Sequence, residues 1–351
     1  MRSHTPVRPF LLSFASAFAL AAGLTSAEPQ GNASEATQPA LAQSSHALLA
    51  SCQRGVAYSG FRHGQHPDRG DGASLPTDEQ ILQDLRIIAF DAGFELIRLY
   101  DSQQNSQDVL RLIREHDLPL KVMLGIWLKA ELSNHHDCAW LTEPIPSAQL
   151  EKNKLANRLE IERGIELANK YSDIVVAVNV GNEALVTWND HLVSLDSMID
   201  HLETVRSRIQ QPITTADNYK VFADYGPELA DHLDFLGVHT YPAWESKTVE
   251  QALEYTIENL LEIRSVLPDK PIVITEAGWA TVASEFPEQA SEANQARYYR
   301  ELFDFTQRHN ITLLWFEAFD EDWKGNPANP DGAEKHWGLY DIDREPKAAM
   351  R

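Results

Sequence analysis

The stretch IVVAVNVGNEA (residues 174–184) is a run of mostly β-branched apolar residues that ends in Gly181-Asn182-Glu183. Such a run is typical of a strand that is buried on both faces, as in a parallel sheet. A carboxylate at the tip of a core strand loses hydration and needs a partner that compensates for the loss. Glu183 is therefore a candidate for either an ordinary ion pair or a functional group.

The same kind of apolar run recurs along the chain and alternates with helical patterns. We predict strands at 56–59, 96–100, 120–128, 174–180, 213–216, 235–241, 271–275 and 311–316. Strands that alternate with helices predict right-handed βαβ units, and eight such units indicate a single (β/α)₈ TIM barrel. The chain after residue 316 is rich in Gly, Pro and Asn, so we expect the eighth helix to be short or absent. An eight-stranded open sheet remains the alternative.

Charge and composition limit the kinds of molecule that the protein can bind. The formal net charge is -22, from 30 basic and 52 acidic residues, and no basic run is present. Nucleic acid is therefore excluded as a partner, because phosphate binding needs clustered Lys and Arg. A neutral ligand suits such a surface, and we expect a monomer.

The N-terminal region predicts export. Residues 1–27 read as a signal peptide, with Arg2 and Arg8 before an apolar stretch and Thr25-Ser26-Ala27 as the cleavage site. The apolar stretch is too short for a membrane span. Residues 28–51 read as a disordered linker, and residues 52–351 as the barrel domain. We expect a secreted or periplasmic protein. Leu49-Ala-Ser-Cys52 resembles a lipobox but lacks the preceding apolar region, which argues against a lipoprotein.

The chain has two cysteines, Cys52 and Cys138. An oxidising compartment permits a disulfide. The predicted barrel places the two residues at opposite ends, however, and a disulfide needs Cα atoms within about 7 Å. We therefore predict free thiols.

Polar and aromatic residues follow the predicted strands at the end where a barrel of this kind carries its site. Carboxylates bind hydroxyl groups or transfer protons, and aromatic rings stack on the apolar faces of sugars. The composition at these strand ends is thus typical of a sugar site. The candidates are Tyr58, Arg98, Asn182, Glu183, His239, Tyr241, Trp244, Glu276, Trp279, Glu317, Asp320, Trp323 and Lys324.

Glu183 and Glu276 are the strongest of these candidates, because both directly follow apolar strands, in VAVNVGNE and PIVITEAGW. Cleavage of a glycosidic bond needs one carboxylic acid and one carboxylate. A single glutamate in this position could be explained by an ion pair alone. Two of them, on strands four and seven, favour catalysis.

The chain resembles glycoside hydrolase family 17, the β-1,3-glucanase and β-1,3-glucan transglycosylase family, in its bacterial branch. The resemblance spans the predicted domain. Its segments are GVAYSGFRHGQHP (55–67), LIRLYD (96–101), VNVGNEAL (178–185), GVHTYPAWE (237–245), VITEAGW (273–279), SEANQARYYRELF (291–303), FEAFDEDWK (316–324) and EKHWGLYDIDREPK (334–347).

The resemblance implies a retaining mechanism with Glu183 as general acid/base and Glu276 as nucleophile. It implies that Arg98 and Tyr241 orient Glu276, and that Asn182 binds the sugar 2-hydroxyl. The environment of Glu183 should disfavour its charge, since an acid must be protonated to act.

The other candidates are expected to bind substrate. Glu317, Asp320, Glu321 and Lys324 correspond to a polar network in the family's cleft. Trp244, Trp279 and Trp323 are expected to stack on sugars, and His239 to donate or accept a hydrogen bond in the cleft.

We expect neither a metal nor a cofactor, since no HExxH or comparable ligand spacing is present. Three functions remain open: a hydrolase of β-1,3-glucan, a transglycosylase with the same catalytic pair, and a catalytically silent glucan-binding protein. The choice between endo and exo action also remains open, although a long loop at 129–154 could close one end of the cleft and favour exo action.

Overall fold

The computed structural model describes residues 49, 51–67, 72–139 and 141–351. The predicted signal peptide, and the predicted linker up to residue 48, lie outside the described residues. Within the described part of the chain, no helix is both long enough and apolar enough to cross a membrane.

Eight parallel strands close into a barrel in which each strand pairs with the next in sequence and β8 pairs with β1. The prediction of a (β/α)₈ barrel is therefore confirmed, and the open-sheet alternative is wrong. The strands are β1 (Arg54–Ala57), β2 (Leu96–Arg98), β3 (Lys121–Ile126), β4 (Val175–Asn182), β5 (Ile213–Asn218), β6 (Leu236–Thr240), β7 (Ile272–Ala277) and β8 (Thr312–Trp315).

In the described part of the chain, seven α-helices surround the barrel. They are α1 (Asp78–Arg86), α2 (Gln104–Glu115), α3 (Ser147–Lys170), α4 (Leu195–Arg206), α5 (Tyr219–Leu229), α6 (Val249–Val266) and α7 (Glu292–Arg308). Their N-termini follow from local chemistry. Thr77 and Gln80 form a capping box at α1, and Thr248 and Gln251 form another at α6. The apolar faces of the helices pack on the barrel and form the main core.

The eighth helix is absent, as predicted. Residues 316–351, all of which are described, contain two short 3₁₀ turns, Ala333–Lys335 and Ala348–Met350. The last turn packs against α7, and the backbone N–H of Ala348 donates to Glu292 Oε2 at 2.8 Å. The C-terminal segment thus takes the place of the missing helix.

A small apolar cluster closes the N-terminal end of the barrel. Leu49 and Cys52 pack there with residues from the strands, and Leu49 is buried although it belongs to the predicted linker. The packed part of the chain therefore begins before residue 52. Cys52 and Cys138 are both free and buried, as predicted.

The C-terminal segment is tied to α1 by a buried carboxylate. Asp84 is fully buried and accepts from Arg344 at both oxygens, at 2.9 and 2.8 Å. Arg62, from the loop after β1, donates to the same carboxylate at 2.7 Å, and Tyr58 donates at 3.3 Å. Two arginines from distant parts of the chain therefore depend on one acidic residue for their neutralisation.

Replacement of Asp84 by Asn should lower the free energy of unfolding by about 3–5 kcal/mol, because it leaves the buried Arg344 and the partly buried Arg62 without their counter-charge. Asp78→Asn is a matched control on the same helix, since the exposed pair of Asp78 with Arg111 should contribute below about 1 kcal/mol. Urea unfolding measures both changes. Equal losses in the two variants would contradict this account of the buried cluster.

Candidate active site

Glu183 lies just beyond the C-terminal end of β4, in a strained backbone conformation. Its φ is +45°, in the left-handed region that non-glycine residues rarely adopt, and Gly181 two residues earlier has φ +78°. The backbone N–H of Glu183 donates to Ala216 O of β5 at 2.8 Å. The strand therefore ends in a turn that directs the Glu183 side chain out of the sheet, and this side chain is 21% exposed.

Glu276 lies within β7 and is surrounded by hydrogen-bond donors. Arg98 of β2 contacts Glu276 Oε1, and Tyr100 donates to the same oxygen at 3.1 Å. Tyr241, which follows β6, donates to Glu276 Oε2 at 2.5 Å. Burial is the main reason that the pKa values of Tyr100 and Tyr241 lie well above the ordinary value, so both phenols keep the protons that they donate.

Arg98 joins the two halves of the site. It is fully buried, and its second terminal nitrogen donates to Asn182 Oδ1 at 2.5 Å. Burial acts to lower the pKa of Arg98, but the nearby Tyr100 and Glu276 outweigh burial and raise it. The guanidinium therefore stays charged, neutralises Glu276 and positions Asn182 beside Glu183.

His239 of β6 lies between the two glutamates. Its Nδ1 is 2.9 Å from Glu183 Oε1 and 3.5 Å from Glu276 Oε2. Atoms of the three side chains lie within 4.8 Å of one another, a spacing that could also hold a metal ion. The carboxylates already accept from Arg98, two tyrosines, His239 and Asn189, however, so protein donors compensate their charge. Short separation and different partners are what a pair of carboxylates needs to divide nucleophile and acid roles.

The sequence matches the model of the BtgE/BtgC glycoside hydrolase domain over residues 55–338. The chain belongs to this family. The resemblance seen in the sequence is thus confirmed, and the chain is a glycosidase.

Two curated relatives of this BtgE/BtgC member are fungal. The glucan 1,3-beta-glucosidase of Arthroderma benhamiae is 27% identical over 65% of this chain and 70% of the relative. A probable glucan endo-1,3-beta-glucosidase, btgC, of Aspergillus clavatus is 25% identical over 79% of this chain, which spans only 40% of that relative.

Two solved structures share the fold of the BtgE/BtgC member. An endo-laminarinase from Formosa matches with a TM-score of 0.73 and 23% identity, covering 88% of both chains. A family 17 beta-1,3-glucanosyltransferase from Rhizomucor miehei matches with a TM-score of 0.65 and 22% identity, covering 85% of this chain and 97% of the other.

The environment of Glu183 differs from the expectation. Burial acts to raise its pKa, but the hydrogen bond and charge of His239, with help from Asn189, outweigh burial and lower the pKa. The expectation that this environment disfavours the charged form is therefore wrong for the free site. The cause is a contact between β4 and β6 that sequence spacing alone cannot predict.

The residues that follow β8 form the predicted polar network. Lys324 contacts Glu317 and lies 3.1 Å from Glu321. Glu321 also accepts from the backbone N–H of Phe61 at 2.8 Å and from Ser59 at 2.7 Å, so it ties the loop after β1 to the loop after β8. Burial raises the pKa of Glu317 well above its ordinary value, and its Oε1 is buried without a hydrogen-bond partner among the described residues.

Asp320, in the loop after β8, contacts the C-terminal segment. Its Oδ1 accepts from Lys347 at 2.7 Å and from the backbone N–H of Gly338 at 2.9 Å. Asp320 therefore ties the loop after β8 to the C-terminal segment, and its contact with substrate stays a prediction.

Two predicted substrate contacts are wrong, because the side chains lie in the core. Tyr58 is 1% exposed, donates to Asp84 and packs edge-on against Phe319. Trp279 is fully buried against Tyr298 of α7. Their sequence positions after strands one and seven are as predicted, but the side chains turn toward the helices.

The aromatic wall of the cleft is built around Trp337, which is itself buried. Tyr241 packs edge-on against Trp337 at 5.2 Å, and Trp244, which is 42% exposed, lies 6.3 Å from it. Trp323 is partly exposed and packs on Phe61. Trp244 and Trp323 therefore remain candidates for sugar stacking.

Sequence reasoning gave no role to several residues of the site. Tyr100 lies at the predicted end of strand two, but its hydrogen bond to Glu276 was not predicted. Asn189 donates to Glu183 Oε2 at 2.9 Å from a loop that folds back, and no local signal predicts this contact. Glu334 lies near Lys324 and both catalytic candidates, and burial raises its pKa to about 7.

Replacement of His239 by Gln should raise the pKa of Glu183 from its lowered position in the free site. The reason is that burial is then opposed by Asn189 and His191 alone, without the charge of His239. NMR titration of ¹³C-labelled carboxyl groups, with Glu183→Gln to assign the signal, measures the change. His232→Gln removes a histidine paired with Glu203 and should leave the Glu183 titration unchanged. An unshifted Glu183 in His239→Gln would contradict the role given to His239.

Proposed function

We propose that this BtgE/BtgC member cleaves β-1,3-glucosidic bonds of a laminarin-like glucan with net retention. Glu183 acts as general acid/base and Glu276 as nucleophile. The observation that carries the proposal is the close approach of the two glutamates, whose nearest ligand atoms lie within 4.8 Å. Retaining enzymes hold their carboxyl groups about 5–5.5 Å apart, whereas inverting enzymes need about 6.5–9.5 Å to admit a water molecule.

The chemistry proceeds in two displacements. Glu276 attacks the anomeric carbon, the bond to the leaving oxygen breaks, and that oxygen takes the proton of Glu183. Glu183, now a carboxylate, removes a proton from water, and the resulting hydroxide attacks the same carbon and releases Glu276. Each step inverts the anomeric centre, so the product retains the β configuration.

The contacts of Glu276 suit a nucleophile that must also leave. Arg98, Tyr100 and Tyr241 stabilise its anion before attack and again when it departs. Arg98 also fixes Asn182, whose amide is free to bind the 2-hydroxyl of the sugar through its nitrogen. These contacts favour catalysis over a silent binding protein, because binding alone requires no such arrangement.

Glu183 needs a proton before it can act as the acid. In the free site its pKa is lowered by His239, while burial acts in the opposite direction. A sugar bound over the exposed fifth of its side chain would remove water and strengthen the effect of burial. Substrate binding thus favours the protonated form that the first displacement consumes.

The substrate class rests on the relatives and on the cleft. The relatives above are named for action on 1,3-beta-glucan, and both solved neighbours are named for laminarin-type substrates or β-1,3-glucan transfer. The exposed ring of Trp244 suits a pyranose face. A net charge of -22 suits a neutral glucan.

Glu276→Ala should abolish hydrolysis of laminarin, and added azide should restore turnover by attacking the face that Glu276 leaves open, giving an α-glucosyl azide. Glu183→Ala is the matched variant and is given a 2,4-dinitrophenyl β-laminarioligoside, whose leaving group needs no acid: azide should attack the resulting glucosyl-enzyme and give a β-glucosyl azide. NMR of the products distinguishes the two anomers. A β-azide from Glu276→Ala would remove the nucleophile role from Glu276.

Transfer to a second sugar is the other candidate function, and one observation favours it. Trp188 is 48% exposed in the loop after β4, next to Asn189, which binds Glu183. Asn134 donates to the carbonyls of both Thr187 and Asn189 and so holds the loop on either side of Trp188. An exposed ring on a loop that is held next to the Glu183 contact can hold the acceptor sugar that replaces water.

Trp188→Ala should lower the ratio of transfer to hydrolysis about fivefold, because an aromatic contact contributes about 1 kcal/mol. Products from laminari-oligosaccharides, followed over time, give the ratio: oligomers longer than the input report transfer, and glucose and shorter oligomers report hydrolysis. Phe90→Ala removes an exposed ring on the outer surface and serves as control. An unchanged ratio in Trp188→Ala would exclude Trp188 from acceptor binding.

Export through the signal at 1–27, with a secreted or periplasmic location, remains part of the proposal, since these residues lie outside the described structure. Exo action also remains an expectation from the length of the loop at 129–154.

A further inference from the structure

Asp217 of β5 is a buried carboxyl group that the mechanism above does not use. It is fully buried, and it takes part in no ion pair within residues 51–67, 72–139 and 141–351. Its Oδ2 accepts from the backbone N–H of Leu185 at 2.9 Å, and its Oδ1 accepts from the backbone N–H of Asn218 at 2.8 Å. An uncompensated buried carboxyl group is costly, so its presence calls for a reason.

The contact with Leu185 lies at the turn that carries Glu183. Three hydrogen bonds hold this turn. Glu183 N–H donates to Ala216 O, Val193 N–H donates to Ala184 O at 2.8 Å, and Leu185 N–H donates to Asp217. The first two use backbone oxygens, and the third uses a side chain.

The turn needs this support because Glu183 has a φ of +45°. A non-glycine residue in the left-handed region costs on the order of 1–3 kcal/mol and persists only where its surroundings hold it. Loss of the Leu185 contact would let the turn relax and displace the Glu183 carboxyl group. Glu276 belongs to β7 and does not depend on this turn.

We propose that Asp217 is a positioning residue for the proton donor, one that holds the turn at Glu183 and has no contact with substrate. The inference rests on the proposed function, since it assumes that Glu183 protonates the leaving group. Two backbone donors need two acceptor oxygens, which Asp provides and Asn does not. Burial, reinforced by Glu183, raises the pKa of Asp217 well above its ordinary value, which explains how the group persists without a cation.

The dependence of rate on the leaving group tests this role. A sugar leaving group requires protonation, whereas dinitrophenolate departs without it. We would measure kcat/KM, which reports formation of the glucosyl-enzyme, for laminaritriose and for 2,4-dinitrophenyl β-laminaribioside. Asp217→Ala should lower kcat/KM for laminaritriose on the order of 10²-fold, the lower end of the contribution of general acid catalysis, and for the dinitrophenyl substrate by less than about fivefold.

Asp217→Asn is the conservative variant and carries the test if Asp217→Ala does not fold. It keeps one of the two acceptor oxygens, so kcat/KM should again fall selectively but by less, about tenfold for laminaritriose. Asp234→Asn is the matched control, since Asp234 accepts from the backbone N–H of Ile213 at the opposite end of β5. It should lower stability without changing the relative rates on the two substrates.

Glu183→Ala, measured in parallel, distinguishes failure of the proposed function from failure of the inference about Asp217. If kcat/KM of Glu183→Ala falls equally for the two substrates, the proposed role of Glu183 fails. If Glu183→Ala shows the selective loss, but kcat/KM of both Asp217 variants falls equally for the two substrates or for neither, the inference about Asp217 is overturned while the proposed function stands.

Discussion

The ion pair between Arg98 and Glu276 is the interaction on which the site depends. Arg98 is fully buried, and the carboxylate beside it offsets the hydration that its charge loses there. The same guanidinium binds Asn182, so a single cation from β2 connects residues of β4 and β7. The barrel makes this possible because the C-terminal ends of its strands converge on one rim.

The two glutamates occupy this rim in different ways, and the difference suits two roles. Glu276 lies within β7 and receives its donors from side chains of β2 and of the segments that follow β2 and β6. Glu183 lies beyond its strand in a strained turn and is held from outside, by Ala216 and Asp217 of β5 and by Asn189. A nucleophile needs an environment that stabilises its negative charge, whereas an acid/base must gain and lose a proton during the reaction. His239, within hydrogen-bond distance of Glu183 and 3.5 Å from Glu276, couples the two.

Much of the fold could be predicted from sequence, because each strand is a separate apolar run followed by a helix. The strands of the structure fall within a few residues of the predicted ones, and the absence of an eighth helix follows from the composition after residue 316. The directions of the side chains were harder to predict from sequence. Trp279 follows Glu276 closely in TEAGW, yet it packs on Tyr298 of α7, because the turn after β7 directs it outward. Tyr58 likewise turns toward Asp84, a residue of α1.

The sequence by itself determined the barrel and the positions of Glu183 and Glu276. The pattern of apolar residues in each strand is local, and a charged residue at the end of an apolar run can be recognised from the sequence alone. Only the tertiary structure decided which neighbours surround each carboxyl group. The lowered pKa of Glu183 comes from His239, the support of its turn comes from Asp217, and the charge balance of Glu276 comes from Arg98. These partners are far apart in the chain, and the electrostatic and hydrogen-bond effects that set protonation and geometry depend on distance in space.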